Sequence, residues 1–247
     1  MSENIFLTII IPSYNESATI GSTLKEISDY LGKKSITCEV IVVDDGSSDD
    51  TSASAKRSDS LFGNFRIIRN DPNGGKGFSV RRAMLEANGD YALFMDADNS
   101  TSIYEFDKFL PYLKEGYDVV IASRRLKESN VEEPQPLLRA KMGQFYIFLS
   151  KIILGLNVSD FNCGFKAYNT RSTRCIFELQ RIDDWSFDAE LLFLANKYKL
   201  KLKEVPVRWV HKSGSKVRPI RDAVLSFISV LKIRFNDLNH LYKVGKA

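Results

Sequence analysis

The sequence has 247 residues, 44% of them hydrophobic and 27% charged, the composition of an ordinary globular chain with enough length for a sizeable core. Its net charge of +4 conceals a division: residues 1–120 hold 12 Lys and Arg against 19 Asp and Glu, a net of −7, and residues 121–247 hold 23 against 12, a net of +11. The apolar start Ile5–Ile11 is too short for a secretory signal, no run of about 18 apolar residues is present to cross a bilayer, and three scattered cysteines (Cys38, Cys163, Cys175) fit a reducing cytosol better than a disulfide framework.

In chain order, Leu7–Ile11 is a short β-branched run ended by Pro12 and reads as a buried strand. Glu16–Leu31 carries apolar residues at helical spacing, and Val40–Val43 is a second strand stopped by Asp44-Asp45-Gly46. A polar helix is expected near Asp50–Asp59, then a strand at Phe65–Ile68. The glycine-rich turn Asn73–Gly77 opens a helix through Ala87, Tyr91–Met95 is a fourth strand, Ile103–Leu113 is helical, and Val119–Ala122 is a fifth strand. Alternation of this kind predicts an α/β fold with an open, mostly parallel sheet flanked by helices. After Ser123 the pattern changes. Residues 124–136 read as a charged, proline-containing loop. Leu138, Met142, Phe145, Leu149, Ile152 and Leu156 then predict a long amphipathic helix, with two more helices at Phe187–Tyr198 and Ile220–Leu238.

Ligands of parallel α/β sheets bind at the carboxyl ends of the strands. Here those ends carry Pro12-Ser13-Tyr14-Asn15-Glu16, Asp44-Asp45-Gly46-Ser47, Asp96-Ala97-Asp98 and Ser123-Arg124-Arg125. Two carboxylates two residues apart just past a strand can hold Mg²⁺ or Mn²⁺, which take oxygen ligands and share them with substrate phosphates; a pair of capping aspartates is the alternative. Asp44 and Asp45 can accept hydrogen bonds from a nucleobase or ribose, or simply cap the next helix. Gly74-Gly75-Lys76-Gly77 brings backbone and one cation close to a ligand, but neither the G-K-[ST] of a P-loop nor G-x-G-x-x-G is present. Asp188 and Glu190 are further acidic candidates: Asp188 to touch the sugar or act as a base, Glu190 to fix Arg or Lys side chains. Two histidines alone leave little room for a histidine metal site or a Ser-His-Asp triad.

The ordered set IIIPSYNE, VVDDGSSDDT, NGGKGFSVRRAM, ANGDYALFMDADNST and VVIASR resembles the inverting family 2 glycosyltransferases of the GT-A fold. In the second half, Asp160–Lys166, Trp185–Leu192 and Gly214-Ser215-Lys216 are similar to the dolichyl-phosphate glucosyltransferases, with the dolichyl-phosphate mannose synthases a little further away. The resemblance implies transfer of a hexose, glucose from UDP-glucose or mannose from GDP-mannose, to a polyprenyl phosphate with inversion. It implies a nucleotide-sugar site lined by Pro12, Tyr14, Asn15, Glu16, Asp44, Asp45, Lys76, Asp96, Ala97 and Asp98. A divalent metal, Mg²⁺ or Mn²⁺, would sit at Asp96, Asp98 and Asn99. Arg124 and Arg139 would face the acceptor phosphate, and Lys216 the donor diphosphate. Asp98, Arg124, Lys216 and Asp188 would carry the chemistry. One catalytic domain over 1–247 is expected: a nucleotide-sugar and metal half at 1–123, an acceptor half at 124–217, and an amphipathic helix and tail at 218–247. The eukaryotic glucosyltransferases begin with a membrane span that is not seen here, so a cytoplasmic chain docked peripherally on a membrane is expected. No nucleic-acid motif accompanies the basic half. A family 2 enzyme acting on a soluble saccharide, with Asp183, Asp184 or Asp188 as base, and a non-catalytic nucleotide-sugar-binding protein are the competing readings.

Overall fold

The computed structural model describes residues 4–132, 137–212 and 219–243. Nine strands and eight helices are assigned among them, in the order β1 (Leu7–Ser13), α1 (Ile20–Leu31), β2 (Cys38–Asp44), α2 (Thr51–Lys56), β3 (Phe65–Arg69), α3 (Lys76–Glu86), β4 (Tyr91–Met95), α4 (Leu110–Lys114), β5 (Val119–Ser123), β6 (Asn130–Glu132), α5 (Leu137–Leu154), β7 (Phe165–Asn169), α6 (Thr170–Leu179), α7 (Phe187–Lys197), β8 (Leu202–Pro206), β9 (Arg208–Val210) and α8 (Pro219–Leu238).

Seven strands form one sheet in the order β3-β2-β1-β4-β7-β5-β8. All neighbouring pairs are parallel except those made by β7, which runs antiparallel to β4 and β5. Every residue of β1 is buried, as a strand covered on both faces requires. Alternate residues serve opposite faces. Ile10, Ile41, Val43, Phe94 and Ile121 face α3, α6, α7 and the inner side of α8. Ile9, Ile11, Val40, Val42, Leu93 and Val120 face α1, α2 and the segment Ile103–Leu113.

The structure departs from the sequence reading in several places. Ile103–Leu113 divides into a 3₁₀ segment, Ile103–Lys108, and the short α4, because Pro111 supplies no amide hydrogen to a continuous ladder. The expected loop 124–136 contains β6, which pairs with β9 outside the main sheet. β7 and α6 had no counterpart. On α5, the expected apolar stripe is divided between solvent and core, with Leu156 buried just past the helix and the side chains of Leu138 and Met142 outside the described residues. Phe145 and Ile152 are 63% and 64% exposed, joined by exposed Phe148, while Ser150 and Leu154 turn inward. The same holds for α8: Val230 and Ile233 pack into the core, while Leu225, Ile228, Leu231, Phe235 and Leu238 form an exposed stripe. The two helices pack against each other, so their outer faces are neighbours.

Candidate active site

The sheet order reverses at β1: β2 and β3 lie on one side and β4 on the other. This switch point brings the carboxyl ends of three strands together. Ser13 is in register with Asp44, and the Asp45 amide donates to the Ser13 carbonyl at 2.8 Å. After β1 the chain turns through Asn15 at φ 53°, a left-handed conformation that asparagine tolerates better than most residues. The Asn15 amide donates to Ser47 Oγ at 2.9 Å, the Ser48 amide donates to Asn15 Oδ1 at 2.8 Å, and the Glu16 amide donates to Thr51 Oγ1 at 2.7 Å. The two loops are thereby stitched into one wall, with the ring of Tyr14 exposed upon it and Pro12 buried beneath.

Asp44 and Asp45 act on that wall from inside. Asp44, fully buried, accepts from the Ser47 amide, the Ser52 hydroxyl and the Arg69 guanidinium. Burial opposes its charge, but these donors outweigh burial and hold the carboxyl below its usual range. Asp45 uses both oxygens on the glycine turn, accepting from the Gly74 and Gly75 amides at 2.9 Å each, and also accepts from Asn70 Nδ2 at 2.8 Å. Gly75 is needed there: its φ is +94°, and a Cβ would stand 2.4 Å from the Asp183 carbonyl oxygen. The turn thus fixes Lys76 as the first residue of α3.

Lys76 Nζ donates to Asp96 Oδ1 at 2.6 Å, between the rings of Phe94 and Trp185 at 5.1 and 5.0 Å. Asp96 follows β4 and is pinned by β7, with its amide donating to the Gly164 carbonyl at 3.0 Å. A Cβ at 164 would lie 1.9 Å from Asp96 Oδ2, so any larger residue there would have to push that carboxylate aside. Ala97 is buried, and its carbonyl accepts from Thr23 Oγ1 at 2.7 Å. Asp98 accepts from the Ser100 amide at 2.9 Å. Burial and the charge of Asp96 push the Asp98 carboxyl up. Asn99, at φ 55°, donates from Nδ2 to Glu26 at 2.7 Å and leaves Oδ1 buried without a hydrogen-bond partner. This donor set fits a hard divalent cation: two crowded carboxylates with more negative charge than Lys76 neutralises, and an orphaned amide oxygen alongside. Among the described residues no group of three or more His, Cys, Asp or Glu could hold a metal, so a cation here would need oxygen ligands from outside the protein as well.

Beyond β4 the charges pair tightly. Arg124 grips Asp160 through Nε and Nη2 at 2.7 and 2.8 Å and stacks over Trp209. Burial works against the Asp160 carboxylate, yet the Arg124 charge and hydrogen bonds hold it below its usual range. Among the described residues no hydrogen bond engages Arg124 Nη1. Asp188 is buried and accepts from Lys166 Nζ at 2.7 Å, a lysine with no exposed surface that also donates to the Cys163 carbonyl. Burial pushes the Asp188 carboxyl up, against the pull of Lys166 and Lys76. Asp183 pairs with Arg81 at 3.3 Å. Asp184 accepts from the Ser186 amide and Ser229 Oγ. Among the described residues Glu190 binds no Arg or Lys side chain; it accepts from the backbone amides of Arg181 and Ile182 and from the Tyr242 hydroxyl. Lys216 lies outside the described residues, as does the side chain of Arg139.

The sequence reading assigned no role to Lys166, Asp160, Gly164, Trp185 or Trp209. The first four lie inside motifs quoted for the family resemblance, but nothing in a linear pattern pairs Lys166 with Asp188 or sets Gly164 against Asp96.

The family model for glycosyl transferase family 2 matches residues 8–177. The chain belongs to glycosyl transferase family 2. Among curated members, a dolichyl-phosphate beta-glucosyltransferase of Dictyostelium discoideum is 32% identical, covering 98% of this chain and 78% of the relative. The one from Drosophila melanogaster is 35% identical over 88% and 71% of the two chains, and the human one is 30% identical over 98% and 78%. Two solved structures share the GT-A fold. Mannosyl-3-phosphoglycerate synthase from Rubrobacter xylanophilus superposes with a TM-score of 0.72 at 18% identity, covering 98% of this chain and 76% of that one. Glucosyl-3-phosphoglycerate synthase from Mycobacterium tuberculosis, in complex with Mn²⁺ and UDP-glucose, superposes with a TM-score of 0.69 at 19% identity, covering 93% and 79%. The family and these relatives make the chain a hexosyltransferase.

Proposed function

We propose that this family 2 enzyme transfers glucose from UDP-glucose, rather than mannose from GDP-mannose, to a polyprenyl phosphate with inversion at the anomeric carbon. The names of the curated relatives support the donor and the acceptor class. The observation that carries the acceptor assignment is the state of the acids. Asp183, Asp184 and Asp188 each face partners of their own. A sugar hydroxyl requires a general base to attack. A phosphate monoester, with a second pKa of about 6, is already largely an anionic nucleophile at neutral pH. Asp184 and Asp188 are taken up by hydrogen bonds, so the soluble-saccharide alternative would have to draw its base from Asp183, half exposed and ion-paired with Arg81.

The residues divide the work. Tyr14, Asn15, Glu16, Pro12 and Ala97 form the floor and wall for the nucleotide, and Asp44 and Asp45 hold that wall in shape. Asp96 and Asp98, with Asn99 beside them, would hold a divalent cation, Mn²⁺ or Mg²⁺, which supplies neutralisation of charge on the leaving diphosphate. Arg124, oriented by Asp160 and Trp209, presents Nη1 to the acceptor phosphate, and guanidinium geometry suits that task. Arg139 and Lys216 complete the acceptor and diphosphate sides in this reading. Asp188 positions Lys166 and steadies the floor under Asp96, and is not a base. The division of the chain into a donor half at 1–123 and an acceptor half at 124–217 follows the same lines.

A polyprenyl acceptor resides in a bilayer, so the enzyme must meet its surface. No helix among the described residues is long and apolar enough to cross a membrane. The exposed stripes of α5 and α8 supply an apolar face, and Lys232 and Arg234 are exposed beside it, as in helices that lie in the interfacial plane. We place this face on the cytoplasmic leaflet, where free thiols such as Cys38 and Cys175 persist. Reversing both charges (Lys232→Glu with Arg234→Glu) is expected to weaken binding to anionic vesicles by about tenfold or more, since each cation near such a surface contributes about 1 kcal/mol. Equal sedimentation of the folded double variant and the parent protein would remove this docking face.

The functional assignment is tested by measuring nucleotide release from a panel of UDP- and GDP-sugars, with and without a short polyprenyl phosphate. UDP release from UDP-glucose that depends on the lipid phosphate is expected. Release that depends only on a soluble saccharide would overturn it.

A further inference from the structure

Lys76 stands where the metal reading needs an open ligand. Its ammonium lies 2.6 Å from Asp96 Oδ1, whereas Mg²⁺ binds a carboxylate oxygen at about 2.1 Å. The lysine is not a loose surface chain. Its side chain is 16% exposed, its ammonium is clasped by the faces of Phe94 and Trp185, and its backbone is fixed where Asp45 and the Asp183 carbonyl hold the glycine turn. Asp96 is more exposed, with Gly164 close against its other oxygen. The two groups therefore meet by construction. A monovalent and a divalent cation crowded on one carboxylate repel strongly in a partly desolvated cleft.

We propose that Lys76 is a resident counter-ion of the Asp96–Asp98 pair, displaced by the divalent cation and handed to the donor diphosphate. This rests on the metal reading of Asp96 and Asp98 given above. The lysine stabilises the acidic pair while the metal is absent, and so weakens metal binding to the donor-free protein. Once a diphosphate is present, the displaced ammonium gains a new anionic partner, and the opposition to the metal is relieved. Metal and donor then enter cooperatively, each raising the affinity for the other by the same factor. Trp185, half exposed, offers the ammonium a face along which to move.

The test is a Mn²⁺ titration of the full chain, read by the electron paramagnetic resonance of free Mn²⁺, with and without UDP. Lys76→Met keeps the length of the side chain and removes its charge. It is expected to bind Mn²⁺ at least about tenfold more tightly than the parent protein when UDP is absent, and to show a smaller tightening when UDP is added. Lys76→Arg is expected to retain the weak donor-free binding and the large UDP effect. Lys76→Gln makes the same comparison if the methionine variant does not unfold cooperatively. Mn²⁺ affinity in the neutral variants no higher than in the parent, with binding itself intact, would overturn the exchange and leave the metal site standing. Absence of Mn²⁺ binding in every protein, with and without UDP, would overturn both.

Discussion

Asp98→Ala is expected to lower metal-dependent glucosyl transfer by about a thousandfold, because several kcal/mol of charge stabilisation at the leaving diphosphate is lost and each 1.4 kcal/mol is tenfold in rate. The fold should survive. Burial and the neighbouring charge of Asp96 push the Asp98 carboxyl up. A carboxyl raised in the folded state favours folding below its unfolded pKa and loses that contribution as pH rises through the folded value. At neutral pH an ionised Asp98 therefore opposes folding, and its removal should leave the melting temperature unchanged or higher. The measurement is kcat/KM against Mn²⁺ concentration, alongside thermal unfolding. More than about a tenth of parental activity at saturating Mn²⁺ would remove Asp98 from the metal site, and a clear loss of stability would contradict the crowding of the two carboxylates.

Lys166→Met is expected to produce the largest loss of stability, about 3–5 kcal/mol, because it leaves the carboxylate of Asp188 buried without its partner. Lys166 has no exposed surface and Asp188 is 3% exposed, so little water can take the ammonium's place. The loss should depend on pH in a defined direction. Burial already pushes the Asp188 carboxyl up in the presence of Lys166, and removing that cation raises it further. The variant should therefore be less impaired under mildly acidic conditions, where Asp188 takes up a proton, and more impaired as pH rises. Lys166→Met combined with Asp188→Leu should recover most of the stability, since two well-packed apolar groups can replace a buried ion pair. Denaturant unfolding at two pH values measures both effects. A single variant less than about 1 kcal/mol weaker, or a double variant no better than the single, would contradict this role.

The parts legible in the sequence were those where one residue type meets one environment. β1, β2, β4 and β5 are buried on both faces and read as unbroken apolar runs, and the polar residues that follow β1, β2 and β4 fall at the switch point because topology leaves them nowhere else. β7 was illegible because Lys166 interrupts its five residues, and only the partner on α7 makes that lysine a core residue. β6 and β9 have three residues each and no periodicity to detect. The stripe on α5 was legible as a stripe, but not that Phe145 and Ile152 would face solvent while Leu156 is buried. Apolar residues surround that helix, and spacing alone does not say which face meets the core. Asp45 illustrates the same limit within the site: its place after a strand marks a candidate ligand group, but only the fold shows that its two oxygens also close the glycine turn. The division of charge acquires a meaning from the fold. On the proposed reading, the acidic half holds the carboxylates that would bind a cation, and the basic half holds Arg124 and the cations beside the exposed apolar face.

The central claim is that the acceptor is a lipid phosphate and that the sugar is inverted in a single displacement. Incubation with UDP-glucose, Mn²⁺ and a short polyprenyl phosphate, followed by mass and anomeric NMR analysis of the extracted lipid, tests both at once. The predicted product is a polyprenyl glucosyl phosphate with a β linkage, opposite to the α linkage of the donor. An α-linked product, or glucose recovered only on a soluble saccharide with no glucosylated lipid, would contradict it.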